Sequence, residues 1–390
     1  MAAAVDLYQA CKSGQLAEAQ RLWASSDLTL ADVRAGDNIA FRGACEHGHL
    51  GVAQWLWALR DSAGAGLTLA DVRACYNWAF HYACANGHLE GARWLWALRD
   101  GAGAGLELTD VRTLNNSAFH HTCIYGHLEV ARWLWALRDG AGAGLTLADV
   151  RAGFRSACAY GHLEVVQWLW GLRDSTGAGL ELADVRANDN RAFCGACGHG
   201  HLEVALWLWA LRDSAGAGMT LADVRAEDNY AFRSACYNGH LEVAQWLWAL
   251  RDSAGMTLAD VRAEDNYAFR DACTNGHLEV AQWLWALRDP ATGAGLTLAD
   301  VQSYDNWAFH HAYANGHQAV VQWLREIGVQ KSAELLPVAS EEGTDCPICI
   351  APPVDAVVVK GHDARHAACR ACLEAWLTQS HTCPVCRAAL

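Results

Sequence analysis

One motif of about 39 residues recurs along most of this chain, and it limits the fold more than any other feature of the sequence. Each copy carries a phenylalanine that is followed by an Ala-Cys or similar pair and then by Gly-His. The phenylalanines that mark the copies are Phe41, Phe80, Phe119, Phe154, Phe193, Phe232, Phe269 and Phe309. A truncated copy around Leu7 precedes them. About nine copies therefore occupy residues 4–330, and such periodicity is typical of a stacked array.

A single copy predicts two helices joined by a tight turn. In residues 229–241, Asn229 is a candidate N-cap and the first helix ends near Gly239, which suits a left-handed turn. The second helix is predicted from Leu241 to Leu250, with Leu241, Ala244, Leu247 and Trp248 on one face. Such a hairpin cannot bury its apolar face alone, whereas stacked copies can.

The motif resembles the ankyrin repeat in two strings. Gly-His-Leu-Glu-Val-Ala opens the second helix, and Ala-Asp-Val-Arg-Ala-Glu-Asp-Asn leads into the next copy. The Thr-Pro start of that family is absent, and an Ala-Gly loop lengthens the period. The resemblance implies an all-α repeat solenoid of ankyrin-like helix pairs over residues 4–330.

Three kinds of residue recur at fixed positions and are interpreted as structural. The paired tryptophans, such as Trp94 and Trp96, replace leucines of the second helix and are expected in the core. Cysteines such as Cys84 stand where the ankyrin family has a small buried alanine. The histidine of each Gly-His, such as His88, is expected to bond to loop backbone.

The positions before each Ala-Cys pair vary from copy to copy. In ankyrin-like arrays this part of the first helix faces the groove that binds partners, so the resemblance implies a substrate-binding face here. Neutral variation on an exposed surface explains the same pattern. The candidate residues are His81, Tyr82, His120, His121, Arg155, Arg233, Arg270, His310 and His311.

The last 47 residues carry a metal-binding pattern. Residues 331–343 match no repeat and are predicted to be a linker. Residues 344–390 follow, and they contain two Cys-x-x-Cys pairs around an interior His/Cys cluster. Eight such ligands make two closed tetrahedral zinc sites, and two zinc ions supply folding energy that so short a segment lacks. The ligands are Cys346, Cys349, His362, His366, Cys369, Cys372, Cys383 and Cys386.

The order and spacing of these ligands resemble a RING finger. In that family the ligands interleave, which implies one ion on Cys346, Cys349, Cys369 and Cys372, and a second on His362, His366, Cys383 and Cys386. The third ligand is irregular, because Ala364 stands where the family usually has cysteine. His362 is the favoured donor, and His381 is the rival.

The RING resemblance also implies a protein-contact surface. Ile348, Trp376 and Pro384 match the apolar patch that holds a ubiquitin-conjugating enzyme, and Arg387 matches the side chain that bridges this enzyme and its ubiquitin. For Ile348 and Trp376, a place in the core of the small domain is the other interpretation.

The two resemblances together imply a RING-type ubiquitin-protein ligase with two zinc ions, whose partners are a ubiquitin-conjugating enzyme, ubiquitin and a protein substrate held by the repeats. The alternative is a non-catalytic, zinc-stabilised adaptor. The formal charge is −14, and without a basic stripe neither nucleic acid nor a membrane is expected as a partner. The 16 cysteines and the absence of a signal peptide favour the cytoplasm or the nucleus.

Overall fold

The computed structural model describes most of the repeats and part of the C-terminal segment. The described residues are 2–59, 64, 66–98, 105–137, 144–174, 177–211, 216, 218–250, 256–288, 294–329, 335–337, 346–348, 356–359, 367–370, 372–373 and 385. The chain divides into two compact units. The first comprises residues 1–268 with 289–293, and the second comprises residues 269–288 with 294–390.

The described residues form 23 helices and three short strands, which confirms the predicted helical fold class. The first four repeats contain α1 (Ala2–Lys12), α2 (Leu16–Ser25), α3 (Leu30–Glu46), α4 (Leu50–Ala58), α5 (Leu69–Val72), α6 (Ala74–Ala85), α7 (Leu89–Ala97), α8 (Leu108–Val111), α9 (Thr113–Ile124) and α10 (Leu128–Ala136). The next three contain α11 (Leu147–Ala159), α12 (Leu163–Gly171), α13 (Leu182–Gly198), α14 (Leu202–Ala210), α15 (Leu221–Val224), α16 (Ala226–Tyr237) and α17 (Leu241–Ala249). The last two contain α18 (Leu258–Val261), α19 (Ala263–Thr274), α20 (Leu278–Ala286), α21 (Leu298–Val301), α22 (Ser303–Ala314) and α23 (Gln318–Glu326). Within the described ranges, none of these helices has the length and apolar character that a membrane span requires.

A short capped helix opens most repeats. In the third repeat, Asp71 accepts hydrogen bonds from the Thr68 amide at 2.7 Å and from its hydroxyl at 2.9 Å, which completes a capping box. The box satisfies amide groups that have no partner inside the helix. The Leu-x-Asp-Val segment therefore forms a defined helical turn in each of these repeats.

A left-handed turn follows the short helix and corrects the predicted N-cap. Asn229 was expected to cap the first helix, but Glu227, Asp228 and Asn229 all have φ between 52° and 64°. The buried amide of the equivalent Asn77 instead donates to the Asp110 backbone oxygen of the next repeat at 3.3 Å. Left-handed backbone is costly for residues other than glycine, so these inter-repeat bonds help to hold the turn.

The turn between the paired helices depends on Gly-His, as the sequence predicts. Gly87 has φ +79°, and the His127 ring of the next repeat lies where a Cβ at Gly87 would stand. His88 Nε2 lies 3.0 Å from the Glu46 carbonyl oxygen of the preceding repeat, and His162 Nε2 lies 2.7 Å from that of Ile124. Glycine and histidine therefore form one joint between neighbouring repeats.

The core consists of the first-helix phenylalanine, alanine and cysteine and of small and branched residues from the second helix. In α17 the buried residues are Val243, Ala244 and Leu247, so the inward face is shifted from the predicted one. Burial raises the pKa of the Cys11 thiol to about 12, and the repeat cysteines are confirmed as small core residues.

The tryptophans are less buried than predicted. Trp135 is buried, but Trp94 and Trp133 are half-buried and pack against the phenylalanine of the preceding repeat. The ring centroids are 6.2 Å apart for Phe41 and Trp94 and 6.1 Å apart for Phe80 and Trp133. These tryptophans thus cover the core from outside, because leucine fills the position between each pair.

The C-terminal segment contains a three-stranded antiparallel sheet in the order β1-β2-β3. The strands are β1 (Leu335–Pro337), β2 (Ala356–Val359) and β3 (Ala368–Cys369). Leu336 pairs with Val358, and Val357 pairs with Ala368. The predicted linker 331–343 therefore contributes a strand, since the backbone of β1 supplies hydrogen-bond partners for one edge of β2.

Candidate metal centre and ligand face

Three cysteines meet beside the small sheet. The Sγ atoms of Cys346, Cys369 and Cys372 all lie within 4.8 Å of one another. Cys346 precedes a turn, Cys369 ends β3, and Cys372 lies in the helical segment that follows. The sequence places two of them three residues apart and the third more than twenty residues away, and the sheet brings them together.

The cluster is shielded from water. Cys346 and Cys369 are buried and pack with Val357, Ala368 and Leu373. The Cys369 amide donates a hydrogen bond to Cys346 Sγ at 3.4 Å. An amide donor stabilises negative charge on sulfur, so the site suits a thiolate that binds metal.

The geometry of the three thiols fits a zinc ion. Four thiolates at about 2.3 Å from one ion lie about 3.8 Å apart in a tetrahedron. The observed grouping agrees with three of the four ligands predicted for the first site. Cys349, the fourth, lies outside the described residues, as do all four ligands predicted for the second site: His362, His366, Cys383 and Cys386. The rival His381 also lies outside them.

The predicted contact surface for a conjugating enzyme is described at one residue. Ile348 is half-buried and packs against the cysteine cluster, so part of its side chain belongs to the domain core. Trp376, Pro384 and Arg387 lie outside the described residues. Val385, which the sequence reasoning did not select, is 43% exposed and stands between a predicted contact residue and a predicted ligand.

The predicted substrate face contains a buried polar cluster rather than an open row of side chains. His81 Nε2 lies 3.0 Å from His121 Nδ1 and 3.2 Å from Ser117 Oγ. Burial, with a smaller contribution from His121, lowers the pKa of His81 to about 4. His81 and His121 therefore connect two repeats, and Tyr82 stacks on Trp78 with ring centroids 4.2 Å apart.

Most of the remaining residues of this face make contacts with aromatic or hydroxyl groups. His120 Nε2 lies 2.7 Å from Ser156 Oγ, and the Arg233 guanidinium lies 5.1 Å from the centre of the Tyr267 ring. In the second compact unit, Arg270 lies over Tyr304, His311 stacks on Trp307, and His310 meets Phe309 edge to face. Most of these side chains thus already contact other residues of the array.

An open cavity of about 670 Å³ lies on this face in the first compact unit. His120 and Arg155 line it, together with Arg191, Cys194, Gly195 and Tyr230. The sequence reasoning missed the last four. The available signal was Cys194, which stands at the position where the other complete repeats carry arginine or histidine.

Comparison with known proteins supports the metal centre. Residues 344–387 match the family model of the Ring finger domain. The chain has no match among curated proteins. The C-terminal segment therefore contains a RING finger domain, which is preceded by helical repeats. RING domains bind zinc and generally imply a ubiquitin-conjugating enzyme as partner.

Proposed function

We propose that this chain is a RING-type ubiquitin-protein ligase whose ankyrin-like repeats hold the substrate. The observation that carries the proposal is the three-thiol cluster of Cys346, Cys369 and Cys372 inside the segment that matches the RING family. In this proposal the domain holds two zinc ions, the second on the ligands that include His362. Its cysteines favour a reducing location, the cytoplasm or the nucleus.

Catalysis in this proposal is indirect. All six cysteines of residues 344–390 are assigned to metal, which leaves none as a nucleophile, and closed zinc sites do not activate water. The domain instead holds the conjugating enzyme so that a substrate lysine attacks its ubiquitin thioester, and the rate gain comes from positioning. The repeats raise the concentration of substrate near the thioester.

In this proposal Ile348, Trp376, Pro384 and Arg387 form the contact with the conjugating enzyme. The half-buried Ile348 connects the metal centre to the surface, since it packs on the cluster without being enclosed by it. Arg387 follows the last predicted ligand, and its planar guanidinium suits two acceptors at once, one on the enzyme and one on ubiquitin.

The second candidate function is a zinc-stabilised adaptor without transfer activity. The irregular third ligand position at Ala364 favours it, because a weak second site would leave part of the contact surface unformed. An adaptor has no need of Arg387.

Reconstitution with activating enzyme, ubiquitin and a broad panel of conjugating enzymes separates the two functions. We expect the full chain to form ubiquitin chains, Arg387→Ala to reduce the rate at least ten-fold, and Arg387→Lys to restore only part of it. Zinc content and far-ultraviolet circular dichroism should be the same in all three proteins. A folded, zinc-loaded wild type that is inactive with every conjugating enzyme would establish the adaptor.

A further inference from the structure

Neighbouring repeats of this array are joined by a recurring pair of side chains. The residue after the core phenylalanine of one repeat, here called the slot residue, lies against the residue two before the core phenylalanine of the next repeat, here called the platform residue. Arg42 lies 5.1 Å from the ring centre of Trp78, and Arg233 lies 5.1 Å from that of Tyr267. In the second compact unit, Arg270 lies 5.9 Å from that of Trp307.

The arginine in the slot also makes a backbone hydrogen bond. Arg42 Nη2 donates to the Gly36 carbonyl oxygen at 2.9 Å, and Arg233 Nη2 donates to that of Glu227 at 2.9 Å. Both carbonyls lie five residues before the core phenylalanine, in the left-handed turn. A guanidinium therefore has a defined site in these repeats, formed by an aromatic ring and a carbonyl oxygen.

The arginine–aromatic pair is absent at four consecutive junctions, from His81–Ser117 to Cys194–Tyr230, and the last two of these lie at the cavity. The slot residue Cys194 has Tyr230 as its platform, so no guanidinium is supplied. The slot residue Arg155 has Arg191 as its platform, so this junction carries two like charges and no aromatic ring. All four side chains line the 670 Å³ cavity.

The ring of Tyr230 is left uncovered. The Tyr230 side chain is 50% exposed, whereas Trp78 and Tyr267 are less exposed because arginines lie over them. In the described part of the chain no cation or aromatic ring lies over Tyr230. Cys194 does not fill the space, because it is buried and its Sγ contacts the Asp189 carbonyl oxygen at 3.6 Å.

The surroundings of Tyr230 suit a cation. The exposed carboxylates of Asp189 and Glu227 line the same cavity, and the Asn188 carbonyl occupies the position that accepts the arginine in other repeats. Across the cavity, Arg155 and Arg191 suit an anion.

We infer that this cavity binds an extended segment of a partner protein that places an arginine over Tyr230 and an acidic side chain between Arg155 and Arg191. The partner completes the slot that Cys194 leaves empty, in the way that Arg42 and Arg233 complete their own. Packed helices lie about 8–10 Å apart, so the two charges of the partner are two or three extended residues apart. Under the proposed function this segment is the recognition element of the ubiquitylation substrate, and the inference rests on that function for the identity of the partner.

Selection of a random peptide display library on the full chain tests the inference. We expect enriched peptides to share an arginine with aspartate or glutamate two or three positions away. Affinity for the best peptide should fall at least ten-fold in Cys194→Arg, which supplies the missing guanidinium from the chain itself, and in Tyr230→Ala. Tyr76→Ala is the matched control, since Tyr76 is 72% exposed on another repeat and does not line the cavity.

Several results would overturn the inference. They are no enrichment, enrichment without arginine, or undiminished binding by both cavity variants. Cys194→Arg is expected to fold, because arginine already occupies this register in four repeats. Formation of ubiquitin chains by the RING domain is measured separately, so loss of that activity alone counts against the ligase and leaves the peptide-binding result standing.

Discussion

Arg73 and Asp110 form a two-point ion pair between neighbouring repeats. Arg73 Nε donates to Asp110 Oδ1 at 2.9 Å, and Nη2 donates to Oδ2 at 2.8 Å. The same carboxylate accepts from the Glu107 amide at 2.8 Å and from Asn77 Nδ2 at 3.1 Å. One aspartate therefore caps its own helix and holds the preceding repeat in register. Equivalent pairs are Arg34–Asp71, Arg151–Asp184, Arg186–Asp223 and Arg225–Asp260.

Replacement of this aspartate should weaken the array. Asp110→Ala removes the cap and the carboxylate that both Arg73 and Asn77 contact, so we expect a loss of about 1–3 kcal/mol in the free energy of unfolding. Asp32→Ala is the matched control, because Asp32 caps its helix through the Thr29 amide at 2.8 Å and no ion pair reaches it among the described residues. Urea unfolding followed by circular dichroism measures both. Equal losses would show that the inter-repeat ion pair contributes nothing.

The stability of the repeats should fall in mild acid because of His81. The folded-state pKa of His81 is about 4, well below the ordinary value near 6.5, so the unfolded chain binds more protons between these values. Stability contributed by neutral His81 is therefore present above pH 6.5 and is lost as the pH falls toward 4. We expect His81→Gln to reduce this loss by about 1–2 kcal/mol between pH 7 and 5, as measured by the unfolding midpoint at each pH. An unchanged pH slope would contradict the buried, neutral histidine.

The aspartates that pair with arginine affect the stability of the repeats at a lower pH than His81 does. Burial would raise the pKa of Asp110, but hydrogen bonds from Arg73 and from the Glu107 amide outweigh it and hold the pKa below the ordinary value. Their contribution is present above the unfolded-state pKa near 4 and is lost below it. The two effects can thus be told apart by titration, since the histidine acts first as the pH falls.

Substitution of Gly87 tests the joint between repeats. Gly87 and Gly64 both have φ +79°, so alanine at either position is in a left-handed backbone conformation, which lowers the free energy of unfolding by about 1–2 kcal/mol. At Gly87 the new Cβ would also meet His127 Nδ1 at 2.5 Å, whereas at Gly64 nothing lies within 4 Å. We expect Gly87→Ala to lower the unfolding midpoint clearly more than Gly64→Ala does. Similar shifts for the two variants would argue against a role for the histidine contact.

The sequence was sufficient for features that depend on local chemistry. The turn at Gly-His, the small buried cysteines and the helix pair all follow from residues that stand next to one another in each repeat. The grouping of Cys346, Cys369 and Cys372 could be predicted from ligand spacing, because a zinc site allows only a few arrangements of its ligands.

Features that depend on contacts between repeats were not predicted. Asparagine is a common helix-capping residue, yet the side-chain amide of Asn77 donates a hydrogen bond to the next repeat. His81 belongs to a variable position, but its burial depends on Ser117 and His121 of the following copy. Strand β1 lies in the predicted linker because its partner β2 is some twenty residues away, and local pattern does not report such pairing.

The number of zinc ions bound per chain tests the RING assignment. We expect native mass spectrometry of the full chain to find two zinc ions, and Cys369→Ser to lose at least the one held with Cys346 and Cys372. Cys236→Ser is the matched control, since Cys236 is equally buried but lies in the repeat core, so its zinc count should remain two. Removal of zinc by a chelator should abolish ubiquitin-chain formation and leave the helical circular dichroism signal of the repeats nearly unchanged, because their core contains phenylalanine and leucine rather than metal ligands. Fewer than two ions in the wild type, or a full complement in Cys369→Ser, would contradict the pairing of ligands on which the ligase proposal depends.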